Sequence, residues 1–155
     1  MGGQESVARH HFRGKMTEKI RVLFLCTGNS ARSQMAEAFL HQIGHDRFEV
    51  HSAGLDPSVV NPFTILVLEE AGIDWSGARA KGLDEYLGKV HFGYLITVCS
   101  RAEERCPIFP GMGQRLHWPF DDPAAAEGSD EEKLAVFRRV RDEIKAQVST
   151  WYQDH

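Results

Sequence analysis

At 155 residues with a formal net charge of −4, the chain carries no excess of positive charge that would make nucleic acid its general partner. Its 42% hydrophobic content suits one globular domain large enough to bury a genuine core. No apolar stretch approaches the roughly 20 residues of a membrane span, and no secretory signal is visible, so neither a membrane nor export is expected.

Residues 1–19 are rich in Gly, Arg, His and Gln without periodicity and are expected to form a disordered leader or upstream extension, with a single domain over residues 20–155. Met1-Gly2-Gly3-Gln4-Glu5-Ser6 formally fits a myristoylation pattern, but nothing else in the chain points to a membrane. Ile20–Leu25 is a nearly continuous apolar run, the mark of a strand buried on both faces. From Ser33 to about Gly44, residues Met35, Ala36, Phe39, Leu40 and Ile43 recur near helical spacing, with Gly44 as the expected C-cap. Phe48–Ser52 reads as a second strand ended by Ala53-Gly54. A helix then starts at Pro62 and closes at Ala71-Gly72. A short helix is expected around Leu83–Leu87, a third strand over Phe92–Val98 and a fourth over Gln114–Trp118. The longest helix runs from about Asp130 to Tyr152 on the stripe Leu134, Phe137, Val140, Ile144 and Val148. This alternation predicts a doubly wound α/β fold: a four-stranded parallel sheet of order 2-1-3-4 with helices on both faces.

The densest chemistry lies at the first strand-to-helix junction, Cys26-Thr27-Gly28-Asn29-Ser30-Ala31-Arg32-Ser33. Backbone N–H groups of such a loop and the following helix N-terminus converge on one point and favour negative charge there. The same field favours the reactive thiolate of Cys26. Arg32 brings a planar two-donor fork suited to a tetrahedral oxyanion. Residues 27–33 are therefore the expected oxyanion-binding residues and Cys26 the nucleophile.

The three cysteines form an odd set in a chain that needs no disulfide staple, which points to a reducing, cytoplasmic setting. The eight histidines are read as forming no ligand spacing such as His-x-x-x-His on a helix, and no metal site is expected. Cys26 ends the first strand and Cys99 the third; with order 2-1-3-4 these strands lie about 4.8 Å apart and share one crevice. Cys106 follows across Ser100-Arg101-Ala102-Glu103-Glu104-Arg105, a polar insert expected to be exposed and mobile. A helix there would hold the two Cα atoms about 10 Å apart, beyond the roughly 4.4–6.8 Å of a disulfide. Joining them would require that helix to unwind; separately buried thiols are the other reading. Asp122, extended by Pro123 and expected in an apolar neighbourhood that keeps its carboxyl protonated, is the candidate general acid.

Cys26-x5-Arg32-Ser33 with Asp122-Pro123 downstream resembles the low-molecular-weight protein tyrosine phosphatase superfamily. With Ser52-Ala53-Gly54, Cys99 through Cys106-Pro107, His117 through Ala124 and Phe137 through Ile144, it resembles the thioredoxin-coupled arsenate reductase branch, from about Ile20 onward. That resemblance implies arsenate, with phosphate as its near-isostere, as the oxyanion ligand, thioredoxin as reductant, and no cofactor. It also implies a relay: Cys26 attacks arsenate while Asp122 protonates the departing oxygen, Cys99 attacks Cys26 and releases arsenite, and Cys106 attacks Cys99. The resulting Cys99–Cys106 disulfide would be reduced by thioredoxin. Two residues depart from the pattern. Ala31 stands where many such reductases carry another cysteine that this relay does not need. Lys81 lies near where potassium-binding members carry an aspartate, beside the matching Asn29, Glu37 and Ser52. The rival readings are a phosphatase acting through a cysteinyl-phosphate, and a non-enzymatic oxyanion-binding module. Ala124-Ala125-Ala126 after Asp122-Pro123 offers no aromatic clamp for a phenolic ring, and a phosphatase has no use for Cys106.

Overall fold

The computed structural model describes residues 18–106 and 113–155. In chain order the elements are β1 (Ile20–Cys26), α1 (Arg32–Gly44), β2 (Phe48–Gly54), α2 (Pro62–Glu70), a 3-10 turn at Leu83–Glu85, β3 (Tyr94–Thr97), α3 (Ser100–Arg105), β4 (Gln114–His117), a 3-10 turn at Pro123–Ala125 and α4 (Asp130–Gln153). The myristoylation pattern and nearly all of the expected leader lie outside the described residues.

All three strand pairings are parallel and the order is β2-β1-β3-β4, as the alternation of elements predicts. Opposite Cys26 lies Gly54, and opposite Leu25 lies Thr97, so the carboxyl ends of β1, β2 and β3 share one edge. Phe24, Phe48 and Tyr94 point to one face, where they meet Trp118 and Trp151 beneath α4. On the other face His51 packs on Tyr86 and Phe92, and Thr97 bonds Glu103 of α3. Helices α1, α2 and α4 pack together on the first face. The second carries the 3-10 turn and the six-residue α3.

Local chemistry accounts for the helix ends. Asn61 caps α2 and Pro62 opens it, because proline's missing N–H is an orphan there anyway; Gly72 follows at φ 87°. In α4, Ser129 and Glu132 form a reciprocal capping box. Its stripe of Phe137, Val140, Ile144, Val148 and Trp151 is buried.

Four expectations need correction. Strand β2 runs on through Gly54, while β3 is confined to Tyr94–Thr97; ladder bonds at Gly93 N–Arg21 O and Val98 N–Leu25 O continue the pairing beyond both ends of β3. Residues 100–105 are exposed at Ser100, Arg101, Glu104 and Arg105 as expected, but the segment is a regular helix that buries Ala102 wholly. Gly44 ends α1 without a left-handed cap; its missing side chain instead admits the ring of Tyr152. Finally, His41 and His45 do form a His-x-x-x-His spacing, at the end of α1. Their rings lie 5.3 Å apart, with His45 Nδ1 3.1 Å from the His41 carbonyl.

At Gly44, helix propensity and packing make opposite predictions. Alanine would gain up to about 1 kcal/mol of helix propensity, but its Cβ would lie 2.7 Å from Tyr152 Cε1 and 3.2 Å from Phe48 Cδ2. Overpacking of this kind costs about 1–3 kcal/mol. Gly44→Ala is therefore expected to lower the urea midpoint of unfolding, and Gly44→Ala with Tyr152→Leu to restore it.

Candidate active site

β1 delivers Cys26 to the sheet edge, and the chain turns over residues 27–31 into α1. Ala31 occupies the N-cap of α1, where among the described residues no side chain caps the helix, so its first N–H groups face the loop. The turn depends on Asn29, the one described residue other than glycine with positive φ (52°). Asparagine tolerates this left-handed conformation better than most side chains. Here its amide is also fully bonded. Nδ2 donates to Ser33 Oγ (2.8 Å) and Ser52 Oγ (2.9 Å), while Oδ1 accepts from Gln34 Nε2 (3.0 Å) and the Lys81 backbone N–H (2.8 Å).

These bonds reach the sulfur. Asn29 N–H lies 3.2 Å from Cys26 Sγ, and Ser33 Oγ lies 2.9 Å from it. When Cys26 is a thiolate, which can only accept, the Ser33 hydroxyl is placed to donate to it. Gln34 closes the ring from behind: its Nε2 also donates to the carbonyls of Asn29 and Arg79, and Trp75 Nε1 donates to its Oε1 at 2.8 Å. Gly54 is obligatory here, since a Cβ would stand 2.6 Å from Thr27 O and 2.8 Å from Asn29 N.

A cavity of about 250 Å³ opens in front of Cys26, lined by the loop residues Thr27, Gly28, Ser30, Ala31 and Arg32 together with Ser58, Asp122 and Ala124. Asn29 and Ser33 are wholly buried and lie outside this lining. The side chains of these two positions are taken up by the hydrogen bonds around Cys26, while their backbone N–H groups remain part of the loop. Ser58 and Ala124 gave no sequence signal. A second cavity adjoins the first and shares Thr27, Arg32 and Asp122 with it, opening onto Cys99, Ser100 and Arg101. The crevice expected for Cys26 and Cys99 is therefore present.

Arg32 Nη1 donates to the Phe120 carbonyl at 3.1 Å, and Nη2 lies 3.8 Å from Asp122 Oδ2. Asp122 is extended, as its proline neighbour predicts, and accepts the Ala124 N–H. Its surroundings are not apolar, however. The carboxyl is 46% exposed, with the Arg32 guanidinium beside it.

Cys99 caps α3. Its Sγ accepts from Ala102 N–H at 3.4 Å and lies 3.5 Å from Thr27 Oγ1. Cys106 follows the last residue of α3 and is buried. Burial pushes its thiol above the ordinary range, with Arg115 opposing the rise and Glu103 adding to it. At the far end of the Asn29 network, Lys81 Nζ stands 3.3 Å from Ser52 Oγ and 3.5 Å from both Glu37 Oε1 and Arg79 O. An ammonium already fills the space among the residues that match a monovalent-cation site, so those residues do not fit a potassium ion as well. Among the described residues no group of three or more His, Cys, Asp or Glu is placed to hold a metal.

Residues 21–154 match the family described as low molecular weight phosphotyrosine protein phosphatase. An arsenate reductase of Halalkalibacterium halodurans is 47% identical over 137 residues, covering 88% of this chain and 96% of that protein. A solved arsenate reductase in the phosphate binding state superimposes with a TM-score of 0.74 at 32% identity, over 87% of this chain and 98% of its own. A thioredoxin-dependent arsenate reductase of Corynebacterium glutamicum gives a TM-score of 0.66 at 26% identity, over 96% of this chain and 70% of its own.

The close approach at Gly54 is testable without turnover. Gly54→Ala would push the loop outward and spoil backbone N–H groups worth about 1–3 kcal/mol to a bound anion. Inorganic phosphate is then expected to protect Cys26 from iodoacetamide at least about fivefold less tightly than in the unaltered protein.

Proposed function

The chain belongs to the low molecular weight phosphotyrosine protein phosphatase family, and from that premise we propose that it reduces arsenate to arsenite through three thiols, with thioredoxin as the reductant. The observation that carries this reading is the pair of adjoining cavities, one on Cys26 and one on Cys99, that share Thr27, Arg32 and Asp122. A phosphatase requires only the first.

In the proposed sequence, arsenate sits on the loop N–H groups with two oxygens on the Arg32 fork. The Cys26 thiolate, facing the N–H of Asn29 and the hydroxyl of Ser33, attacks arsenic. Asp122, on the rim of the same cavity, gives its proton to the departing oxygen, which leaves as water. Cys99, held by the Ala102 N–H and close to Thr27 Oγ1, then attacks Cys26 Sγ. The electron pair of the S–As bond stays on arsenic, so arsenite departs as a Cys26–Cys99 disulfide forms. Cys106 attacks Cys99 Sγ, returning Cys26 as a thiolate and leaving a Cys99–Cys106 disulfide. Two thioredoxin thiols reduce it by exchange. Such a cycle belongs in the reducing cytoplasm. Among the described residues no helix is long and apolar enough to cross a membrane.

Arsenate-dependent NADPH oxidation, coupled through thioredoxin and its reductase, is expected to vanish in Cys26→Ser, Cys99→Ser and Cys106→Ser alike. Mass mapping after one turnover without reductant should find a Cys99–Cys106 bond. A Cys106→Ser variant that turned over normally would overturn the relay, and phosphate-ester hydrolysis needing Cys26 alone would favour the phosphatase reading.

Lys81 carries a separate expectation. With its ammonium already beside Glu37 and Ser52, exchanging potassium for choline at constant ionic strength should leave kcat/KM unchanged. Lys81→Ala should lower it and restore a response to potassium.

A further inference from the structure

Helix α3 has six residues, far fewer than the roughly 12–15 at which an isolated helix becomes even marginally stable. Something outside the helix must hold it closed, and Arg115 on β4 is placed to do so. Its Nη2 donates to the Glu103 carbonyl at 2.7 Å and its Nη1 to the Cys106 carbonyl at 3.4 Å, satisfying acceptors that a helix C-terminus leaves orphaned. Its Nε also reaches Glu103 Oε1 at 3.4 Å. That same oxygen accepts from Thr97 Oγ1 at 2.8 Å, and His117 Nδ1 lies 2.9 Å from the threonine hydroxyl. Two strands thus grip one short helix through one carboxylate and one guanidinium.

The grip bears on the relay because of where it ends. While α3 is closed, Cys106 N–H bonds the Ala102 carbonyl and Glu103 N–H bonds the Cys99 carbonyl. Seven residues of helical rise then separate the two cysteines by about 10 Å, beyond disulfide reach. Closing Cys99–Cys106 means breaking these bonds and Arg115's hold on the helix end. The outer ion pair of Arg105 with Asp56 is exposed and contributes little.

We propose that Arg115, with Glu103 and Thr97, is a latch that holds Cys106 away from Cys99, and that its release sets the rate at which the Cys99–Cys106 disulfide closes. The inference rests on the three-thiol reading, but its test needs neither arsenate nor thioredoxin. In a Cys26→Ser background, diamide takes two electrons and two protons from the Cys99 and Cys106 thiols. It becomes the corresponding hydrazine as the disulfide forms, and peptide mass mapping follows the product with time. Adding Arg115→Met should speed closure on the order of tenfold, equivalent to about 1.4 kcal/mol.

Arg115 is also the cation that opposes the rise of the Cys106 pKa, so Arg115→Lys is the informative companion. It keeps positive charge near Cys106 but loses the fork, and should also be faster than the background. Thr97→Val, which releases Glu103 without touching Arg115, should give a smaller acceleration in the same direction and covers the case in which Arg115→Met fails to fold. The thermal midpoint and far-ultraviolet spectrum report whether each variant keeps its fold. Unchanged closure in folded Arg115→Met and Thr97→Val overturns the latch while leaving the relay standing. Slowing in Arg115→Met with no change in Arg115→Lys assigns Arg115 to Cys106 ionisation and overturns the latch as well. If no Cys99–Cys106 disulfide forms in any variant, the three-thiol reading fails and the latch with it.

Discussion

Everything at this site depends on one residue held in a left-handed turn. Asn29 has φ 52° and no solvent exposure, and its side-chain amide makes hydrogen bonds to Ser33, Ser52, Gln34 and the Lys81 backbone. Those bonds keep the backbone in a region that most L-residues leave. They aim its N–H at Cys26 Sγ and hold the Ser33 hydroxyl 2.9 Å from the same atom. The network then runs through Ser52 to Glu37 and Lys81. The geometry of the nucleophile is thus anchored by β2 and the chain around Lys81 as much as by the loop itself. A fully satisfied buried network of this kind specifies one conformation, and leaving any member unsatisfied costs about 1–3 kcal/mol.

The sheet divides the labour. On the face of Phe24, Phe48 and Tyr94 a thick aromatic layer beneath α4 packs the core. The other face, among the described residues, carries only the 3-10 turn and α3 as regular structure. The oxyanion loop is tied to the first face through α1, whose Met35, Phe39 and Leu40 are buried. Cys99 and Cys106 flank the element on the second. Rigidity therefore surrounds the sulfur that must meet a ligand in a fixed geometry. The two sulfurs that exchange partners in the proposed relay bracket the shortest α-helix among the described residues.

Much of this was legible from residue order. Apolar runs bounded by turn residues account for the first three strands but not for the polar β4, and small residues between Cys26 and Arg32 at a strand-helix junction mark the oxyanion loop. Topology brought Cys99 to the same edge, since strands one and three are neighbours in a 2-1-3-4 sheet. What escaped was decided by tertiary contacts that no periodicity reports. Residues 100–105 look like a solvated insert because five of the six are polar, yet one buried Ala102 and a guanidinium arriving from β4 make them helical. Asp122 was placed correctly along the chain, but its environment depends on Arg32 approaching from the loop. Gly44 carries the composition of a cap, while its actual constraint is the Tyr152 ring from the far end of the chain.

The same oxyanion loop serves two chemistries, so the choice between them cannot lie in the loop. A cysteine, an arginine and an aspartate suffice to form and hydrolyse a thiol ester of phosphate. Reduction differs in that the bond to Cys26 must break at sulfur, with its electrons left on the departing oxyanion. A second thiol must therefore reach Cys26 Sγ, and the disulfide that results must be passed outward before the loop can bind again. Cys99 at the shared crevice meets the first demand. The second requires a thiol that is out of reach while the loop works and within reach afterwards. A helix too short to stand alone, closed by side chains from β3 and β4, meets it. In a longer, self-supporting helix the same two cysteines would remain about 10 Å apart; with no helix at all nothing would hold Cys106 away from Cys99 while Cys99 turns to Cys26. The marginal stability of α3 is thus the structural counterpart of electron transfer, as the left-handed Asn29 is of oxyanion binding.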